Sequence, residues 1–491
     1  DRMLRAPQAH ALYLFPTKAL AHDQLQALQG LIAGAGLRRH AAAYDGDTPP
    51  GQRARLRRSA QILLTNPDML HAGILPAHTQ WRDLLANLAY VVIDELHVYR
   101  GIFGSHVANV LRRLRRLCRF YGSAPQFICS SATIANPGDL ARRLTGEEAL
   151  VVSRSGAPTG RKDVIFYNPP VTDALLGLRR SALEEARRHA NWFLDRDLQT
   201  VIFCPSRRMV EQLVIYLRQD AARTGRDPQA IRGYRSGYLP AERRAIEEGL
   251  RQGQVRAVVA TNALELGMDI GGLTICLLVG YPGSVSSTWQ RIGRVGRGRE
   301  AGAALLVASS RPLDQYIVSH PDYFFGQPPE RALINPDNLH ILLGHLQCAL
   351  YELPLDEGER LGQAGPEMLA ALSEHGVARE ARGRYVWAGL DYPAGKLSLR
   401  AATADQVSIV VPQADGSLRG IGQVDRDSAP AWVHEGAIYL HEGQQYLIEA
   451  FDWEAGLARA RPVEVDFFTE PSQSPRIQIE RTRSEAQHPH L

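Results

Sequence analysis

The chain is poor in lysine, in paired cysteines and in long apolar runs. Of its 56 basic side chains only Lys18, Lys162 and Lys396 are lysines, which leaves 53 arginines. Set against 52 acidic residues, they give a formal net charge of +4, which permits a polyanionic partner without requiring one. The five cysteines, Cys118, Cys129, Cys204, Cys276 and Cys348, stand singly with no Cys-x-x-Cys spacing. That spacing excludes a disulfide framework and a zinc cluster and leaves them as small core residues. No stretch reaches the roughly 18 uncharged apolar residues of a membrane-spanning helix, and no charged start followed by an apolar core opens the chain. No membrane partner is expected, and the expected compartment is the cytoplasm. No repeat of solenoid length recurs. The 491 residues, 45% hydrophobic and 22% charged, have ordinary globular composition, enough for roughly two to four domains.

What is present is an alternation of short β-rich runs with helical patterns. Residues 11–15, 61–65, 90–93 and 126–130 are strand candidates, each followed by turn residues and a periodic segment, as in a parallel α/β sheet. The rhythm resumes after a Gly/Pro/Ser stretch at 153–160, with candidates at 200–204, 257–260, 275–279 and 303–307. Two α/β units, residues 1–155 and 156–329, are expected, with a ligand cleft at their boundary. Beyond Pro328 and Pro329 the order is helix (339–350), helix (367–374), strand (384–387), compatible with a winged helix over 330–395. Residues 396–475 turn β-rich, with a hairpin signal at 437–440 and 445–448 around His441-Glu442-Gly443. A polar tail, 476–491, follows. One helical pattern, Val107, Val110, Leu111, Leu114 and Cys118, is surrounded by Arg112, Arg113, Arg115, Arg116 and Arg119. It is expected to pack on a sheet and leave its basic face solvated.

Two segments carry chemistry. Tyr90-Val91-Val92-Ile93-Asp94-Glu95-Leu96-His97 is an apolar strand ending in adjacent acids. In a nucleotide-hydrolysing site the first carboxylate holds magnesium near the phosphates and the second accepts a proton from the attacking water. Taken alone, the same residues also suit the solvent end of any buried strand. Gln290-Arg291-Ile292-Gly293-Arg294-Val295-Gly296-Arg297-Gly298 places arginines three apart among glycines. The guanidinium forks of Arg294 and Arg297 suit a γ-phosphate whose charge spreads in the transition state, although a solvated loop could carry the same run. His434-Glu435 and His441-Glu442 do not make a His-Glu-x-x-His zinc motif.

In order along the chain, these segments resemble the motifs of superfamily 2 helicases of the DEAD/DEAH-box kind. Pro16-Thr17-Lys18-Ala19-Leu20 resembles motif Ia, Thr65-Asn66-Pro67-Asp68 motif Ib, Asp94-Glu95-Leu96-His97 motif II and Ser130-Ser131-Ala132-Thr133 motif III. Residues 201–207 resemble motif IV, the run from Ala260 through Gly267 to Asp269 motif V, and Gln290 to Gly298 motif VI. Within the superfamily, Tyr44-Asp45-Gly46-Asp47-Thr48-Pro49, the Asp-Glu-Leu-His variant and the stretch from His434 to His441 resemble the MrfA/Hrq branch of DNA repair helicases. The Lhr branch is the close rival.

The resemblance implies two tandem RecA-like domains, the first truncated, followed by a winged helix and a small β-rich domain. It further implies ATP and Mg²⁺ as cofactors, with 3′ to 5′ movement on single-stranded DNA or DNA with a 3′ tail, and RNA ranked behind. Asp94 would hold magnesium through water and Glu95 would act as general base. His97, Ser131 and Thr133 would link the nucleotide site to the strand-binding face, and Gln290 would sense the nucleotide. Arg294 and Arg297 would stabilise phosphate charge, with Gly267 and Asp269 also near the nucleotide. Thr17, Lys18, Thr65, Ser206, Arg207 and Thr261, just past predicted strand ends, would meet strand phosphates through hydroxyls, backbone N–H groups and helix N-termini.

No Gly-x-x-x-x-Gly-Lys-Ser/Thr run occurs in the 491 residues, and neither does the cysteine-rich zinc region of the branch. The expectation is a piece of a longer helicase whose own ATP hydrolysis is impaired, because the cradle for the phosphates is missing. Two alternatives are a nucleotide-independent nucleic-acid-binding protein and an RNA helicase. The lesion or DNA structure recognised, unwinding as opposed to translocation alone, the oligomeric state and the protein partners have no sequence signature.

Overall fold

In the computed structural model, residues 5–481 are described except 133, 155, 158–159, 235–239, 266–272, 297–300, 401–405, 414–416, 442–443, 466, 468, 470, 472–477 and 479–480. The chain forms two compact units, Asp1–Ala402 and Thr403–Leu491.

The first unit opens with a parallel sheet of β1 (His10–Leu14), β2 (Ala41–Ala43), β3 (Ile62–Thr65), β4 (Leu88–Ile93) and β5 (Gln126–Cys129), in the order β2-β3-β1-β4-β5. Register aligns Leu14 with Ile93 and Ile93 with Cys129, so these strands end level and Phe15, Asp94 and Ser130 emerge from one edge. Leu12, Leu14, Leu63, Val91 and Ile93 pack between the helices that flank the sheet. Among those helices, α1 (Lys18–Gly34) starts directly after β1, and α2 (Gly101–Tyr121) starts shortly after motif II.

A second parallel sheet contains β6 (Lys162–Tyr167), β9 (Thr200–Phe203), β10 (Ile231–Tyr234), β11 (Ala257–Ala260), β12 (Ile275–Val279) and β13 (Gly302–Val307), in the order β10-β11-β9-β12-β13-β6. A small hairpin, β7 (Val171–Asp173) with β8 (Leu178–Arg179), stands apart from it. Trp289 stacks on Phe324 with ring centroids 5.5 Å apart, so it packs against the helix Pro321–Gly326.

The winged helix contains α3 (Leu339–Glu352), the helix Pro366–Glu374 and a sheet of β14 (Leu355–Asp356), β15 (Ala378–Ala381) and β16 (Arg384–Trp387) in the order β14-β16-β15. Tyr385 lies in its core, with Trp387 packed against that core.

The expected solvated basic face of α2 is corrected by the structure. Arg113 is fully buried, and its Nε donates to both carboxylate oxygens of Glu352 at 3.1 Å. Arg116 Nε donates to Glu359 at 2.7 Å, and Arg112 Nη1 to Asp337 at 2.8 Å. Of the five arginines of α2 only Arg119, near its end, remains exposed. The acids come from the winged helix more than 220 residues later, so the spacing within α2 could not announce them.

Gly104 marks a close approach in this packing. A Cβ there would lie 2.3 Å from the Tyr99 carbonyl oxygen and 2.5 Å from Ile334 Cγ2. We expect Gly104→Ala to lower unfolding free energy by about 1–3 kcal/mol despite alanine's better helix propensity, read from urea midpoints. An unchanged or raised midpoint would refute the packing argument.

The second unit is a five-stranded sheet of β17 (Gln406–Pro412), β18 (Leu418–Asp425), β19 (Ile438–His441), β20 (Gln444–Asp452) and β21 (Leu457–Val463) in the order β18-β17-β21-β20-β19. Val407, Ile409, Ile448 and Ala458 form its core. The hairpin expected from sequence pairs Ile438 with Leu447, while its turn residues Glu442 and Gly443 lie outside the described residues. Among the described residues no helix is long and apolar enough to cross a membrane.

Candidate functional site

The acids sit where β4 runs out. Asp94 N–H donates to the Leu14 carbonyl at 3.0 Å, continuing the β-ladder by one bond. The Asp94 carboxylate accepts from Glu95 N–H at 2.9 Å and from the Ser130 hydroxyl. Two donors on Oδ1 fix the orientation of the group. Glu95 has φ 54°, in the left-handed region that a non-glycine residue rarely adopts. That turn carries the second carboxylate away from the strand direction.

His97 closes the arrangement. Its Nδ1 accepts from Ala132 N–H at 3.2 Å, which ties motif II to motif III. Burial, with Arg100 nearby and Asp94 opposing, depresses its pKa to about 4. The ring is therefore neutral near pH 7, its proton is on Nε2, and the 3.4 Å approach of Nδ1 to Glu95 is a contact between a neutral ring and a carboxylate. Ser131 is exposed beside it, and Thr133 lies outside the described residues.

Of the motif VI residues, Gln290 is half-buried on the helix Val285–Ile292. Arg294 is 4% exposed, and its Nη2 donates to the Glu265 carbonyl at 2.6 Å. Its neighbour Arg291 pairs with the Glu265 carboxylate at 3.0 Å. Arg297, Gly267 and Asp269 lie outside the described residues.

The expected strand contacts divide by burial. Thr17 caps α1 by accepting from Leu20 N–H at 3.4 Å, and Ser206 caps the helix Arg207–Arg223 by accepting from Met209 N–H at 3.2 Å. Lys18 reaches Asp47 at 2.7 Å. Asp47 itself is placed by a tight turn in which Asp45 accepts its N–H at 2.8 Å and Thr48 accepts that of Asp45 at 2.9 Å. Thr65, by contrast, is 1% exposed and gives its hydroxyl to the Tyr44 carbonyl at 2.6 Å, so it braces the Tyr44 loop and offers no hydroxyl to a strand. Thr261 is 8% exposed at the end of β11. The Arg207 side chain is outside the described residues.

An open cleft of about 630 Å³ joins several of these residues at the ends of β1 and β3, lined by Thr17, Lys18, Asn66 and Asp68 together with Arg53 and Arg400. The last two carry no motif signal. Ser130, which holds Asp94, could have been found from register: it follows Cys129, the partner of Ile93.

Known families and solved structures match the chain domain by domain. The DEAD/DEAH box helicase family model matches residues 2–140, the helicase conserved C-terminal domain 185–299, and the winged helix domain of ATP-dependent helicase HRQ1 334–402. The chain is 50% identical over 471 residues to the uncharacterized ATP-dependent helicase YprA of Bacillus subtilis, covering 96% of this chain and 63% of YprA. It thus spans less than two thirds of that relative. The DUF1998 helicase MrfA, solved bound to DNA and AMPPNP, superposes with a TM-score of 0.84 at 49% identity, over 98% of this chain and 67% of MrfA. The Mycobacterium smegmatis helicase Lhr, solved with ssDNA and AMP-PNP, is more distant: TM-score 0.65, 26% identity, 80% of this chain and 54% of Lhr. The matched winged helix and the near-complete overlap with MrfA resolve the rivalry between the two branches, and the chain belongs to the DEAD/DEAH-box helicases, in the branch of MrfA and HRQ1.

Proposed function

We propose that the chain is the motor part of an ATP-dependent DNA helicase that moves 3′ to 5′ on single-stranded DNA in cytoplasmic DNA repair. The observation that carries this reading is the Asp94 carboxylate, held by Glu95 N–H and the Ser130 hydroxyl beside the left-handed Glu95. It occurs in a chain that overlaps most of a helicase solved with DNA and AMPPNP.

The residues present fit the cofactors. Asp94 would hold magnesium through water, and the ion would supply charge shielding for the phosphates. Glu95 takes a proton from the attacking water, and Arg294 with Arg297 offsets phosphate charge. Gln290 senses the nucleotide, and Gly267 and Asp269 contribute to binding it. His97, Ser131 and Thr133 carry that state toward the strand, which Thr17, Lys18, Ser206, Arg207 and Thr261 grip by sequence-blind contacts. Without a Gly-x-x-x-x-Gly-Lys-Ser/Thr run in these 491 residues, hydrolysis by the chain alone is weak.

Strand binding tests the reading without hydrolysis. A labelled oligo-dT should bind with an affinity that falls as salt rises. Lys18→Ala should make the logarithmic salt slope shallower by about 0.7, the value of one single-strand phosphate contact, and weaken binding about fivefold at 0.1 M salt. Tighter binding to oligo-U of equal length would favour an RNA helicase. No binding to either would overturn the proposal.

A further inference from the structure

We propose that Arg400 and Arg53 make the cleft beside motifs Ia and Ib a seat for one phosphodiester of the bound strand. The inference rests on the strand-binding reading above and assigns residues outside the recognised motifs. Three cations converge on the cleft from three separate segments: Lys18 at the start of α1, Arg53 on the helix Pro50–Ser59, and Arg400 near the end of the matched winged helix domain. Asp68 is the one carboxylate among the residues lining it.

Both arginines are held by contacts that orient a guanidinium plane. Arg53 donates from Nε to the Thr48 carbonyl at 3.0 Å and from Nη2 to the Gly46 carbonyl at 3.4 Å. Arg400 stands 4.3 Å over the Phe103 ring and donates from Nη2 to the Pro16 carbonyl and to Asp68 Oδ2, each at 3.2 Å. Cation–π stacking fixes the plane of the fork and leaves its edge directed at an anion. The Arg400 side chain is 54% exposed, so a partner from solvent can reach it.

Asp68 then occupies a place a phosphate can take. The exposed Arg400–Asp68 pair is worth little in water, whereas a bidentate arginine–phosphate contact is stronger and releases counterions. Lys18 lies close against the Tyr44 loop, where a Cβ on Gly46 would be 3.2 Å from its Nζ.

The test is fluorescence anisotropy of a labelled oligo-dT across a salt series. Arg400→Gln should make the salt slope shallower by about 0.7 and cost about fivefold in affinity at 0.1 M salt, and Arg53→Gln should do the same. Arg400→Lys should keep the slope, which separates lost charge from lost fold. Asp68→Asn, by removing the competing carboxylate, should tighten binding. Unchanged slope and affinity in both glutamine variants would overturn the proposal while the wild-type chain still binds. So would Asp68→Asn weakening binding as Arg400→Gln does, since the ion pair would then serve only the fold. If the wild-type chain binds no oligonucleotide, the broader strand-binding reading fails and this proposal falls with it.

Discussion

Replacing Glu95 by glutamine should lower ATP turnover by about 10²–10⁴-fold, the usual contribution of a positioned general base, while nucleotide and strand binding persist. The measurement needs a polypeptide that includes a phosphate-binding loop. The amide keeps the shape of the carboxylate and its place beside His97 but cannot accept a proton. Asp94 keeps both its donors, because the bond from residue 95 comes from the backbone and the other from Ser130. The neutral His97 ring, with a pKa of about 4, is a poor substitute base so close to a fixed hydrogen bond from Ala132. Turnover within threefold of wild type would remove Glu95 from this role.

Glu352→Ala should have the largest effect on stability. The side chains of Arg113 and Glu352 are 0% and 1% exposed, and removing one partner leaves a guanidinium uncompensated in the interior, at about 3–5 kcal/mol. The pair joins α2 to α3, so the loss falls on the attachment of the winged helix to the first sheet. Replacing both partners by apolar residues of similar volume should restore most of the stability, and urea midpoints of the single and double variants decide the point. Equal destabilisation by both would show that the charges do more than compensate each other.

The same cluster sets a pH dependence. Burial and the Arg113 cation hold His71 down to about 3, and burial holds His345 well below its ordinary value. His71 accepts from Arg113 Nη1 at 2.7 Å, and His345 lies 3.1 Å from His106. In the unfolded chain these rings protonate near pH 6.5. Between there and about pH 3 the unfolded chain therefore binds more protons, so stability is full above pH 6.5 and falls on acidification. The slope is up to about 1.4 kcal/mol per pH unit for each histidine. A urea midpoint at pH 5 equal to that at pH 7 would contradict neutral burial.

The strands that carry motifs were legible because each is a short apolar run bounded by turn residues. Tyr90 to Ile93 ends at the acids as expected, and Ala257–Ala260 and Ile275–Val279 are fully buried. Three strands of the parallel sheets carry no such signal. Ala41–Ala43 is too short and too small, Lys162–Tyr167 is a partly exposed edge strand with charged residues at its start, and Ile231–Tyr234 mixes Arg and Gly into its run. The site followed the same division. Asp94, Glu95 and His97 lie within one turn of chain and could be read together. Arg400 reaches Asp68 across 332 positions and Arg113 reaches Glu352 across 239, and no local periodicity encodes such pairs. Thr65 was misleading because a hydroxyl just past a strand end can turn inward, as this one does toward Tyr44.

The most direct test of the helicase reading is ATP hydrolysis with and without single-stranded DNA, measured side by side for two polypeptides. One is the 491-residue chain and the other is the same chain extended upstream through a Gly-x-x-x-x-Gly-Lys-Ser/Thr segment. Turnover by the extended chain alone, raised by single-stranded DNA, is the predicted result. Strong hydrolysis by the 491 residues alone, or an extended chain indifferent to DNA, would contradict it.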